Sequence, residues 1–400
     1  MINKQVDYKL FFAVFALIIF WMIMISSVSV YSSFRITSLL QSSWTLEETN
    51  NHFYVLRNII HVTIWLTALL FLVKVPYSFW EKNAKNILYG CLFLLAYVLF
   101  FWTTWNWATW WINVPWLPFA LQPMEFTKFW IIVFLAYFFK KNQSKMNDFK
   151  EWFVPFFWIV LLIVFLLWMQ PDFWWILMIV PVMFLMYFVA WWWVKYIWSL
   201  FLLWVFLIFS VYNIWKRDKS DPTTWNKLSY ITDRFDNFLQ DEKGQIAQKT
   251  INYQTEQWLI AIWSWWFAWL WFWNSVQKFW YLPEVQWDFI FSVIIEELWF
   301  IGWLVLLSFY AYIWYRWYLI SYYSNDLFAK FASIWVTCWI LLQAMINIWV
   351  NLNMLPLTWV TLPFISYWWS SLIALMFWLG ILLNISRYTD EEKWWRLWKH

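Results

Sequence analysis

The chain has 400 residues and a formal charge of +4, with 64% hydrophobic and 12% charged residues, 46 Trp and only 4 Gly. Its apolar stretches are too long and too numerous for a soluble core, and its positive charge is accounted for by short connections between them, which excludes a nucleic-acid binder. Two Cys inside apolar runs and three scattered His exclude a disulfide framework and a zinc motif.

Apolar runs able to cross roughly 30 Å of hydrocarbon, about 17 to 25 residues each, fall at 10–31, 58–74, 86–104, 121–139, 152–168, 173–191, 196–213, 287–312, 330–350 and 365–384. They predict an all-α, polytopic membrane protein with ten spans in one integral membrane domain over 1–400. The first run lacks a small-residue cleavage site and nine more follow it, so it reads as a span and not a leader. Lys4 and Lys9, Lys74, Lys82 and Lys85, Lys140 to Lys150, Lys195, Arg316 and Lys330, and the tail from Arg387 to Lys399 all fall on one side. The positive-inside rule makes that side cytoplasmic and puts both termini there.

In chain order, the first chemistry is "LQPMEFTKF", Leu121 to Phe129. Glu125 and Lys128 are three apart on a helix, so they are neighbours that either neutralise each other in the membrane or leave a fixed cation near its outer end. Asp172 begins span six after a Pro, where helix capping is the better assignment. A long outer loop, 214–286, carries charged and apolar stretches by turns. Within it 258–273 is apolar between two segments on the same side, and so should re-enter or lie along the membrane. Asp288 then stands at the mouth of span eight, with Glu296 and Glu297 about two turns deeper. Asp288 has two readings: a cap that complements the helix dipole, or a general base beside an apolar segment. Gln343 and Asn347, four apart, are expected to hydrogen-bond between helices.

Seven ordered motifs carry a resemblance: "NWATWWI", "LQPMEFTKF", "QPDFWW", "SWWFAWLWFW", "LPEVQWDFIF", "EELWF" and "PFISYWWSS". Over essentially the whole chain the sequence resembles the SEDS family of RodA, FtsW and SpoVE, peptidoglycan polymerases of the bacterial cytoplasmic membrane. Stretches near span one ("MIMISSVSV") and at the end of span ten ("LLNISR") are more similar to FtsW than to RodA. Where the family patterns have Gly, this chain almost everywhere has Trp. Trp normally favours membrane interfaces, whereas here it is stacked in runs, and indoles at helix contacts would overpack them. We read most of these tryptophans as glycine codons, UGA, translated as Trp; Trp111 is expected to be genuine because the family has Trp there.

The resemblance implies polymerisation of lipid II outside the membrane. The 4-hydroxyl of one sugar attacks the anomeric carbon of the next, and undecaprenyl pyrophosphate leaves with inversion to a β-1,4 link. Asp288 aligns with the family's essential Asp and is the implied base. Lys128 is the implied cation, with Glu125, Glu284 and Glu296 orienting or tuning it, and Trp111, Ser366 and Ser370 among the implied substrate contacts. A divalent cation, Mg or Mn, is expected to assist at the pyrophosphate, although no dedicated metal site is visible. The implied partners are a class B penicillin-binding protein and other divisome or elongasome membrane proteins. Two departures affect substrate contacts: the family's paired Arg are replaced by Thr109 and Trp110, and its His-Thr before the Asp by Gln286 and Trp287. A lipid II flippase and a non-catalytic division scaffold remain open alternatives.

Overall fold

The computed structural model of the chain describes residues 5–43, 48–100, 103–105, 108–113, 120–145, 148–170, 173–190, 287–358 and 360–389, with isolated positions from 205 to 278. The span expected at 196–213, nearly all of loop 214–286 with its re-entrant segment and Glu284, and Asp172 lie outside these residues.

Helices carry the architecture: α1 Tyr8–Val28, α2 Val30–Ser42, α3 Phe53–Lys74, α4 Tyr77–Phe100, α5 Pro123–Lys141, α6 Val154–Met169, α7 Phe173–Ala190, α8 Ile290–Tyr323, α9 Leu327–Asn351 and α10 Trp369–Ser386. Among the described residues, six helical stretches are long and apolar enough to cross a membrane, including α1, α3, α8, α9 and α10. A minor addition lies between α4 and α5, where β1 Thr103–Trp105, β2 Ala108–Asn113 and β3 Ala120–Leu121 form a three-stranded antiparallel sheet in the order β1-β2-β3.

The chain divides into two compact units. The first comprises Met1–Pro76, Asn237–Asn325 and Trp339–His400, and the second Tyr77–Asp236 and Asp326–Cys338. In the first, α1 packs on α8 and α3 packs on α10. The α3–α10 approach is close enough to require a small residue: a Cβ on Gly380 would lie 2.6 Å from Leu72 Cβ. Asp7 caps α1 through Oδ1, which accepts from the Leu10 N–H at 3.0 Å, while its Oδ2 accepts from Arg316 Nε at 2.9 Å and Nη2 at 2.6 Å. That pair corrects one expectation. Arg316 does not lie in a connection after span eight; α8 continues past the apolar run to Tyr323 and buries Arg316 against Asp7.

In the second unit α4 packs on α5 and α6 on α7. Its core centres on Phe139, whose ring lies 5.1 Å from Trp335, 5.5 Å from Trp152 and 5.7 Å from Phe156. Just beyond the apolar part of α5, Lys140 bridges Glu81 and Asp326, each at 2.6 Å.

Trp299 interrupts α8 with φ 55° and ψ −159°, close to a region that is essentially reserved for glycine. Trp21, Trp317 and Trp335 are fully buried with indole N–H groups that reach no acceptor among the described residues, although a buried Trp N–H usually finds one. Trp299 is also the position where "EELWF" departs from the family's Gly.

Candidate active site

Asp288 is buried in a turn just ahead of α8. The capping assignment for it does not hold: the cap residue is Phe289, and no side-chain hydrogen bond caps this helix. Asp288 is held by its backbone instead. Its carbonyl accepts from Asn347 Nδ2 at 3.1 Å and Asn351 Nδ2 at 3.2 Å, both on α9. Asn347 also donates to the Val360 carbonyl at 2.7 Å, and Gln343 donates to Thr361, so these amides do not bond between helices as expected but tie α9 to non-helical backbone at Asp288, Val360 and Thr361.

Two turns into α8 the paired glutamates take different partners. Glu296 accepts from Ser275 Oγ at 2.5 Å. Glu297 Oε1 accepts from Lys278 Nζ at 2.7 Å and from Ser27 Oγ at 2.6 Å, and Lys278 also donates to Ser27 at 2.8 Å. All five side chains are nearly or fully buried. A charge in such a place is tolerated only when paired and hydrogen-bonded, so this network fixes Ser275, Lys278 and α1 to α8. Lys278, Ser27 and Asn351 were missed in the sequence. A lone Lys just after an apolar run was a usable signal for the first, and the i, i+4, i+8 spacing of Gln343, Asn347 and Asn351 for the last.

The "PFISYWWSS" segment belongs to the same unit. Ser366 Oγ accepts from the Leu362 N–H at 2.7 Å, and Tyr310 donates to the Pro363 carbonyl. Ser370 is fully buried in the first turn of α10, with no hydrogen-bond partner for its hydroxyl among the described residues. Trp287, the neighbour of Asp288, packs edge-on against Trp368 at 4.5 Å and Tyr367 at 5.9 Å, and Tyr367 in turn meets Tyr54 at 5.1 Å. The first unit therefore brings Asp288, the 366–370 segment and α3 into one packed region, with Glu296 farther along α8.

Glu125, Lys128 and Trp111 belong to the second unit. Lys128 Nζ lies 2.7 Å from Glu125 Oε1 with both side chains 4% exposed, so the helix itself pairs this cation with a carboxylate. Trp111 lies in β2, where its backbone pairs with Thr103. Among the described residues no three His, Cys, Asp or Glu side chains converge.

A family model described as "Cell cycle protein", covering FtsW, RodA and SpoVE, matches residues 8–391. The chain belongs to this family. Among its relatives, Stage V sporulation protein E of Bacillus subtilis is 30% identical over 346 residues, 85% of this chain and 88% of that one. A probable peptidoglycan glycosyltransferase FtsW of Trichlorobacter lovleyi is 29% identical over 370 residues, 91% and 92% of the two chains. Two solved structures share the fold of this FtsW/RodA/SpoVE member. A chain from work described as "Structural coordination of polymerization and crosslinking by a peptidoglycan synthase complex" gives a TM-score of 0.74 at 21% identity, covering 96% of this chain and 99% of that one. The rod shape determining protein RodA of Thermus thermophilus gives 0.63 at 20% identity, covering 96% and 98%.

Proposed function

We propose that this chain is a peptidoglycan glycosyltransferase of the bacterial cytoplasmic membrane, polymerising lipid II into β-1,4 glycan strands with Asp288 as general base. The observation that carries it is the placement of Asp288. The carboxylate stands where span eight begins, is not spent on capping that helix, and hangs from a backbone carbonyl fixed by two buried amides. A base must lie within hydrogen-bond reach of the proton it takes, so a fixed backbone at this residue type supports the assignment. The relatives' names and the RodA-like fold support the substrate class.

In the reaction, Asp288 takes the proton of the acceptor 4-hydroxyl as its oxygen attacks the donor's anomeric carbon. The bond to undecaprenyl pyrophosphate breaks on the opposite face, and the configuration inverts. Lys128, oriented by Glu125, is assigned to the pyrophosphate charge, and Glu284, Glu296, Ser366 and Ser370 to substrate contacts. A class B penicillin-binding protein is the proposed partner, with the septal role favoured over elongation and both termini cytoplasmic. Most of the tryptophans at family glycine positions are proposed to be glycine in the functional protein, a reading supported by the Trp299 backbone and the unpaired buried indoles.

The test is lipid II polymerisation by the purified full chain with glycine restored at those positions. Asp288→Ala should abolish polymer while leaving thermal unfolding unchanged. Lipid II transport that survives the substitution would favour a flippase, and division supported by the inactive variant would favour a scaffold. TGG codons at Trp368 and Trp369 would sink the glycine assignment.

A further inference from the structure

Three side chains four residues apart on α9, Gln343, Asn347 and Asn351, share one face of the helix. Within the first unit they divide into two kinds. Among the described residues Gln343 donates only to Thr361, at 3.0 Å to its carbonyl and 2.8 Å to its hydroxyl. Asn347 and Asn351 both reach the carbonyl of Asp288, and Asn351 also donates to the Asn347 carbonyl at 2.9 Å. Ser292, in the first turn of α8, donates to Asn351 Oδ1 at 2.7 Å. With its oxygen taken by Ser292, Asn351 must turn its NH₂ toward Asp288, so the orientation of the amide follows from its partners. Asn347 and Asn351 are 2% and 0% exposed.

We propose that Asn347 and Asn351 are positioning residues of the glycosyl transfer, acting on the base through its peptide group. The role rests on Asp288 being that base. A carbonyl oxygen has two lone pairs, and here each of the two amides gives it one donor. Together they fix the plane of the 288–289 peptide, and with it the direction of the Asp288 Cα–Cβ bond. Asp288 and both amides are buried, so removing a donor leaves the carbonyl short of a partner. The peptide would then turn, and a displacement of about 1 Å at a reacting group costs on the order of 100-fold in rate. Ser292 acts one bond further out, by keeping the Asn351 amide from flipping.

The experiment compares the full chain with Asn351→Leu, Asn347→Leu, Ser292→Ala and, as a control on the same helix face, Gln343→Leu. Lipid II turnover is followed at several concentrations, together with thermal unfolding. Asn351→Leu and Asn347→Leu should lower kcat by about 10- to 100-fold with KM unchanged. Gln343→Leu should lose comparable thermal stability and keep kcat. Ser292→Ala removes only the outer bond, so it should fold and lose a few-fold in kcat, which keeps the question decidable if a leucine variant does not fold. The positioning role is overturned if Gln343→Leu loses as much kcat as Asn351→Leu, or if Asn351→Leu and Ser292→Ala both keep the parent kcat. Asp288→Ala is assayed alongside: retained polymerisation there would remove the base itself, whereas its loss beside a fully active Asn351→Leu removes only the role given to the asparagines.

Discussion

Each of the two units contains a buried lysine–glutamate pair at 2.7 Å, and the two pairs are built differently. In the second unit Lys128 and Glu125 sit three apart on α5, so the helix alone brings them together. In the first, Lys278 meets Glu297 on α8 and Ser27 on α1, partners 19 and 251 residues away. A local pair cannot specify how helices are arranged, because it forms wherever its helix goes. A long-range pair exists only in the correct arrangement, and it makes one buried cation a condition of the fold. In the first unit this buried pair therefore ties separate elements together, whereas the second unit's Lys128–Glu125 pair is made within one helix.

The largest effect should come from breaking the long-range pair. Lys278→Met leaves Glu297 buried without its cation, which costs about 3–5 kcal/mol, whereas the double variant Lys278→Met with Glu297→Met should recover most of that. Unfolding in detergent measures both. Limited proteolysis should also cut near Ser275 and Lys278 in the single variant, because these two residues are tied to α8. For the local pair, Lys128→Met with Glu125→Met should stay within about 1 kcal/mol of the parent and expose no new cleavage site, yet lose polymerisation. Equal proteolytic patterns for Lys278→Met and Lys128→Met would erase the distinction.

Next in size is a change on the helix that carries the long-range pair. Trp299 lies two residues past Glu297 in a backbone conformation that costs about 1–3 kcal/mol for a residue with a side chain. Trp299→Gly should therefore raise stability by on the order of 1 kcal/mol after the larger unfolded-state entropy of glycine is subtracted. Phe300→Gly, one residue on in ordinary helical geometry, should lower it by about 1 kcal/mol. A loss in both variants would mean that α8 does not need glycine at 299.

Much of this was legible in the sequence, and what was not has a common cause. Span eight, its start at Asp288 and the local Glu125–Lys128 pair follow from apolar run length and helical spacing, which are properties of neighbouring residues. Arg316 was misplaced because a hydropathy pattern treats an Arg as the end of a span; its partner Asp7 is 309 residues away. Lys278 was passed over for the same reason. The sheet at 103–121 was hidden because its strands are short and lie in a charge-free connection of Trp, Thr and Pro that carries no strand alternation. Asn351 extends a spacing already visible at Gln343 and Asn347, but its role depends on which backbone carbonyl it meets, and no periodicity encodes that.

The smallest effect belongs to an ion pair that is neither deeply buried nor local, and it places a lower bound on the comparison. Lys140, 32% exposed, lies between Glu81 and Asp326. Burial alone would lower its pKa, but the hydrogen bonds to Asp326 and Glu81 outweigh it and hold the ammonium above the ordinary lysine value. With the folded pKa raised, the folded state binds the proton more tightly than the unfolded one. The contribution is therefore fully present below about pH 10.4, the unfolded lysine value, and is lost as pH rises through the higher folded value. Solvent screening at this exposure keeps it under about 1 kcal/mol. Unfolding of the parent and of Lys140→Met should thus differ slightly and constantly from neutral pH up to the lysine range, converge above it, and differ less in high salt. If Lys140→Met costs as much as Lys278→Met, burial is not what separates structural from incidental ion pairs in this protein.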